Sequence, residues 1–252
     1  MVTIGIIVAL QMEARPLLRL VNRPREGNLG NLRAWFFENG PFQCVLVRSG
    51  MGLEAARKAT RAIIETVSPQ VIVSFGIAGA LGEGLAIGDI LAGEHCRVWD
   101  NGSLGPAYAL TPLSEAAYRT AASAAEARNA RCLRGAVITV RGIQLIPAVP
   151  DAAAVVEMET AAIAQVAAER GIPVVSIRAV SDSPEEPIPF TMDGGEEFAI
   201  KPFVLLGAIL HDPRIIRALL RLNRNSNLAA RNLAEVVKAV ISHSELQSTG
   251  RP

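Results

Sequence analysis

The stretch Val174-Val175-Ser176-Ile177-Arg178-Ala179-Val180-Ser181-Asp182 decides the fold. Val174–Val180 is an almost unbroken apolar run, as expected of a strand whose sheet is covered on both faces. Upstream, Glu157–Glu169 reads as a helix stopped by Gly171 and Pro173. The alternation extends back to the N-terminus. Thr3–Ala9, Leu32–Glu38, Gln43–Arg48, Val71–Phe75, Ile90–Val98 and Gly135–Val140 read as strands. Met12–Leu20, Leu53–Thr66 and Leu113–Ala127 read as helices, and Asn39-Gly40-Pro41 marks a hairpin. This predicts an α/β fold: a three-layer αβα single domain over residues 1–197 with a central mixed, largely parallel sheet. From about Phe198 the pattern turns helical, so residues 198–252 are expected to form a C-terminal helical extension packed on that domain.

The 252 residues carry 25 Lys+Arg against 24 Asp+Glu, and half are apolar. This balance argues against a nucleic-acid binder and against disorder. Cys44, Cys96 and Cys132 are far apart, lack zinc-ligand spacing, and read as three reduced thiols in a cytoplasmic protein. Val2–Leu10 lacks a basic leader and a small-residue cleavage site, and reads as a first strand. Val71–Gly82 and Phe198–Leu210 fall short of the about 20 residues that span a bilayer. His95, His211 and His243 form no metal or Ser/His/Asp set and read as surface residues.

Ligands of open α/β sheets gather at the carboxyl ends of strands. Glu13 follows the first strand there, as either a first-turn acid or a site acid. Gly50-Met51-Gly52 with Ala55 loosely fits a dinucleotide fingerprint, but the next strand ends Ser74-Phe75-Gly76 without the ribose-binding acid. The turn is then either a tight connection or an anion site beside Arg48 and Ser49. Gly76-Ile77-Ala78-Gly79 either admits a flat ligand or serves a crossover loop. Glu157 and Glu159, two apart on a helix, point in different directions, so at most one faces a shared site; Glu157 suits the helix dipole. Asp182 ends an apolar strand, where burial raises its pKa and suits it to general-acid work; the alternative is an Asx turn before Ser183-Pro184.

Ile4–Ala9 with Glu13, Ser49-Gly50-Met51-Gly52, Gly76–Gly79, Gly88-Asp89-Ile90, Val156-Glu157-Met158-Glu159 and Ile177–Asp182 occur in the order seen in the nucleoside phosphorylase family, which residues 3–185 resemble. The match is closest to its methylthioadenosine/S-adenosylhomocysteine nucleosidase and hopanoid-associated phosphorylase branches. The resemblance implies cleavage of the N-glycosidic bond of a purine nucleoside. Asp182 would protonate the leaving purine, with Glu13 as the acid that positions the nucleophile. Glu159 would hold ribose hydroxyls, with Met158 packed on the sugar. Arg48, Ser49 and Gly50 would border phosphate or the nucleophile. Ile77, Ala78, Gly79 and Ser181 would line the base pocket. No metal or organic cofactor is implied; inorganic phosphate is the co-substrate of a phosphorylase. A homodimer or larger homo-oligomer is expected.

The chain departs from the nucleosidases at Ile77, where they usually carry Ser, and in the compressed stretch 140–155. The hexameric phosphorylases place Arg where this chain has Ser74. Arg48 and Arg15 are candidate phosphate ligands, or solvated surface charges. Ile77 and the basic tail favour the hopanoid-associated branch, phosphorolysis and an adenosine-type, 5′-substituted or lipid-linked substrate. Hydrolysis of methylthioadenosine or S-adenosylhomocysteine is the alternative, and a non-catalytic nucleoside-binding protein is a third. In the tail, Arg214, Arg217, Arg221 and Arg224 interleave with leucines and isoleucines. That pattern suits either a solvated helix face or peripheral contact with an anionic membrane.

Overall fold

The structure is a computed structural model that describes residues 2–81, 84–100, 102–142, 146, 149, 151, 153–183 and 214–243. The chain order is β1 (Val2–Val8), α1 (Gln11–Leu20), β2 (Asn22–Leu29), β3 (Leu32–Asn39), β4 (Phe42–Arg48), α2 (Leu53–Val67) and β5 (Val71–Leu81). There follow β6 (Ile90–Asp100), β7 (Ser103–Ala109), α3 (Glu115–Glu126), β8 (Cys132–Thr139), β9 (Ala154–Glu157), α4 (Thr160–Ala168), β10 (Val174–Asp182) and α5 (Arg214–Ile241).

All the strands join one mixed sheet. From the β2 edge the order is β2-β3-β4-β1-β5, with β1 parallel to both β4 and β5. Beyond β5 the sheet closes on itself. β5 pairs with β9 and β10, β9 with β8, β8 with β6, and β6 with β10. β10 lies parallel to β5 on one side and antiparallel to β6 on the other, which explains its apolar run.

Helices cover both faces. In α2, Ala56, Ala59, Thr60, Ile63 and Ile64 are buried at helical spacing, and with α4 they cover one face. Small residues dominate α4, letting it sit buried on nearly every side. On the other face, α1, α3 and α5 pack together, with Leu17, Ala121, Leu233 and Val237 among their buried residues. The second half of α5 thus belongs to the main core, and residues 198–213 and 244–252 of the expected extension lie outside the described residues.

Several elements differ from the sequence expectation. β2 and β7 escape a hydrophobic pattern because each is mostly exposed at a sheet edge. β5 does not end at Phe75 but runs through Gly76–Gly79 to Leu81, because β10 and β9 supply ladder partners on both sides. Glu157 closes a strand rather than opening a helix, and α4 begins at Thr160. His95 is half-buried, with Nε2 3.3 Å from the Asp151 carboxylate, so it is not a plain surface residue. Among the described residues no helix is long and apolar enough to cross a membrane.

Candidate active site

Parallel pairing of β4-β1-β5-β10 brings the carboxyl ends of these strands to one edge. Glu13, at the third position of α1, is buried there. Its Oε2 accepts from the Leu10 N–H at 2.7 Å and its Oε1 from the Ile77 N–H at 2.9 Å. One oxygen caps its own helix and the other is tied to β5, so the carboxyl is fixed in place. Burial pushes its pKa up, against the opposing pull of these two amides and of Arg178.

β9 and α4 supply the next pair. Glu157 is buried, and its carboxylate accepts from Thr139 Oγ1 at 2.6 Å, from the Thr160 N–H at 2.9 Å and from the Glu159 N–H at 3.0 Å. Arg178 Nη2 pairs with it at 2.9 Å. Glu157 therefore does meet the N-terminus of α4, but from the end of a strand and as the partner of a buried cation. Glu159 instead spans to the turn after β4: its Oε1 accepts from the Gly52 N–H at 2.7 Å. Burial, then the nearby Glu157 charge, lift its pKa to about 8. Both acids are inside, each with its own partner. Met158, half-buried, lies between them.

Asp182 ends β10 opposite Gly79. Ser181 Oγ donates to its Oδ1 at 2.6 Å, and burial raises its pKa in spite of that bond. The Asx-turn alternative runs into Pro184, which lies outside the described residues. The glycines of β5 have a spatial reason. A Cβ on Gly76 would lie 2.5 Å from Arg178 Nη1 and 3.0 Å from Glu13 Oε1. A Cβ on Gly79 would lie 2.6 Å from Asp182 Oδ2. Glu13 and Asp182 thus address β5 three residues apart, roughly 10 Å along the strand. Of the residues between them on β5, Ala78 is buried and Ile77 is half-buried; Gly79 is buried beside Asp182.

The turn after β4 is less free than an anion site requires. Gly50 and Gly52 have φ of +87° and +92°, conformations that favour glycine. The Gly52 N–H, however, is taken by Glu159. Ser49 Oγ donates to Gly50 O at 2.7 Å, and Arg48 Nη1 lies 3.4 Å from Gln11 Oε1. Arg15 is exposed on α1. Residues 143–145, 147, 148, 150 and 152 of the compressed stretch 140–155 lie outside the described residues. Among the described residues no group of three His, Cys, Asp or Glu is arranged to hold a metal ion.

Sequence reasoning passed over Arg178. It is 2% exposed, and Nη2 donates to Ser74 Oγ at 2.7 Å and Thr160 Oγ1 at 2.6 Å. The cue was present: a lone arginine inside an apolar run demands a buried carboxylate. Ser74 and Thr160 carried no such cue. Nε of Arg178 and Oγ of Ser176, on the same face of β10, are buried without a hydrogen-bond partner.

Residues 3–210 match the family model of the phosphorylase superfamily. The chain belongs to the phosphorylase superfamily. Among its relatives, a 5′-methylthioadenosine/S-adenosylhomocysteine nucleosidase of Listeria innocua is 33% identical over 202 residues, covering 71% of this chain and 86% of the relative. The nucleosidase of the same description from Shewanella halifaxensis is 29% identical over 219 residues, covering 79% and 92%. The fold matches a Neisseria meningitidis nucleosidase of that description, in complex with methylthio-immucillin-A, at a TM-score of 0.69 and 22% identity over 96% of this chain and 99% of that one. A futalosine hydrolase of Helicobacter pylori matches at 0.66 and 18% identity, over 96% and 99%.

Proposed function

We propose that this superfamily member cleaves the N-glycosidic bond of an adenosine-type nucleoside substituted at the 5′ position, with water as acceptor. The observation that carries the reading is Glu13, a buried carboxyl fixed by two backbone amides beside Gly76 and Arg178. In this reading Asp182 gives its proton to the purine as the bond breaks. The sugar becomes cationic, and carboxylate charge at this strand edge stabilises it. Glu159 binds ribose hydroxyls beside Met158, and Glu13 accepts the proton of the attacking water. The products are free base and free sugar. The relatives' description as nucleosidases supports water, as does the Gly52 amide, which is occupied by Glu159 rather than open to phosphate.

A second reading, phosphorolysis of a lipid-linked nucleoside, is favoured by Arg48 at the end of β4 and by the apolar Ile77. Purified protein incubated with methylthioadenosine, S-adenosylhomocysteine and a long-alkyl 5′ analogue, with and without phosphate, separates the two. Base release without phosphate, giving free sugar, supports hydrolysis. Phosphate-dependent release giving a sugar 1-phosphate supports the second reading. Tight binding without release from any analogue overturns both and leaves a nucleoside-binding protein. The same reading includes a homo-oligomer in the cytoplasm, as the resemblance implies; sedimentation velocity measures the assembly.

A further inference from the structure

Helix α5 buries one side and leaves a stripe along the other. Ser226, Ala229, Ala230, Leu233, Val236 and Val237 face the core. Arg217, Leu220, Arg221, Arg224, Leu228 and Arg231 recur at spacings of three and four and are all exposed. Between Arg214 and Ala234 there is no Asp or Glu. The exposed faces of α2 and α3 differ. On α2, Glu54 and Glu65 alternate with Lys58 and Arg61, and Glu54 lies 3.8 Å from Arg57. On α3, Glu115 and Glu126 flank Arg119. Mixed charge solvates α2 and α3, and the exposed charges of the short α1 are Arg15 and Arg19; α5 carries a single sign over about four turns.

The second observation concerns apolar groups. Among the described residues, the exposed large hydrophobics are Leu220 at 64% and Leu228 at 43%, and both lie within the basic stripe. An exposed leucine costs little alone, but two on one line with four arginines combine the groups that meet a lipid headgroup layer. Guanidinium groups pair with phosphate, and leucine side chains enter the acyl boundary. A surface for single-stranded nucleic acid would instead pair its arginines with aromatics for stacking, and α5 contains no Phe, Tyr or Trp; a duplex would need only the arginines, and the exposed leucines favour lipid over it.

We propose that the exposed stripe of α5, from Arg217 to Arg231, docks the protein on an anionic membrane surface. The contact is peripheral, and electrostatics supply most of it, with the leucines selecting lipid over other polyanions. This does not depend on which nucleoside is cleaved, or on whether one is.

The test is co-sedimentation of the full chain with vesicles of phosphatidylcholine and phosphatidylglycerol at 3:1, against vesicles of phosphatidylcholine alone. Expected are binding at least about tenfold tighter to the anionic vesicles and loss of it at high salt. Each arginine near such a surface contributes about fivefold. Arg217→Glu with Arg224→Glu should therefore weaken binding by about twentyfold or more. Leu220→Ser with Leu228→Ser should weaken it several-fold at unchanged charge. Unchanged Tm and nucleoside cleavage in both variants show that the fold and the site are intact. Equal binding to both vesicle types overturns the proposal, as does binding indifferent to the arginine pair. So does displacement from vesicles by equimolar-charge RNA or polyglutamate, or a wild-type oligomer that the arginine variant dissolves.

Discussion

Replacing Gly79 by Ala isolates the position of the proposed proton donor. Gly79 needs no left-handed backbone; space is what it supplies. The added Cβ would sit 2.6 Å from Asp182 Oδ2 and 3.1 Å from Val156 Cγ1. Relief to an ordinary contact of about 3.4 Å moves the carboxyl by roughly 0.8 Å, since Val156 is held in β9 by its pairing with Gly79. A displacement of that size at a reacting group costs about a hundredfold in rate. Overpacking costs about 1–3 kcal/mol, or a Tm fall of roughly 2–12 °C at this chain length. The assay is kcat and KM for adenine release beside a thermal melt, in wild type, Gly79→Ala, Asp182→Asn and the double variant. Because the glycine acts through Asp182, it should cost little further rate once Asp182 is Asn. Wild-type kcat in Gly79→Ala, or an undiminished hundredfold loss on the Asp182→Asn background, would refute the reasoning.

Other outcomes follow from the same groups. Asp182→Asn alone should lower kcat by at least about a hundredfold while nucleoside affinity, from equilibrium dialysis, stays within a few-fold. Glu159 has its pKa raised from 4.5 to about 8, so its contribution to stability is complete below about pH 4.5 and is lost as pH rises to about 8. Glu159→Gln should therefore melt several degrees above wild type at pH 9, with the gap closing at pH 5. Arg178→Met leaves Glu157 buried without its cation, for a cost of about 3–5 kcal/mol in urea unfolding. Burial pushes all three thiols to about 12. At pH 8 the native protein should react with iodoacetamide more than about a hundredfold slower than the unfolded chain, read by mass spectrometry.

The layered α/β plan was legible because β10 and β5 carry apolar runs that only a doubly covered sheet explains, and because α2 keeps helical spacing. β2 was not, since its residues are mostly polar and exposed at an edge, and a period-two pattern needs one buried face. Gly76–Gly79 looked like a turn because glycine is the usual mark of one; here it makes room for side chains arriving from β10 and α1. Glu13, Glu159 and Asp182 were found as acids at strand ends. Their partners were not, because Gly52 lies 107 residues from Glu159 and Ile77 64 from Glu13, and no local pattern encodes such contacts. The split of roles between Glu157 and Glu159 also needed the fold: the kink from strand to helix between them sends one carboxyl to Arg178 and the other to Gly52.

The closure of β5, β9, β8, β6 and β10 on one another has a kinetic consequence. An open sheet can lose strands one at a time from its margin, so its amides exchange with solvent through small, cheap openings. A closed circuit offers no such margin. Amides of Ser176–Ala179 in β10, paired with β5 on one side and β6 on the other, should exchange only when the whole domain opens, whereas those of β2 should exchange through local detachment. Arg178 lies in that doubly paired segment, and Asp182 follows three residues after its end. The proposed proton donor is thereby tethered to a segment that should be among the slowest to exchange, which would help it keep its aim.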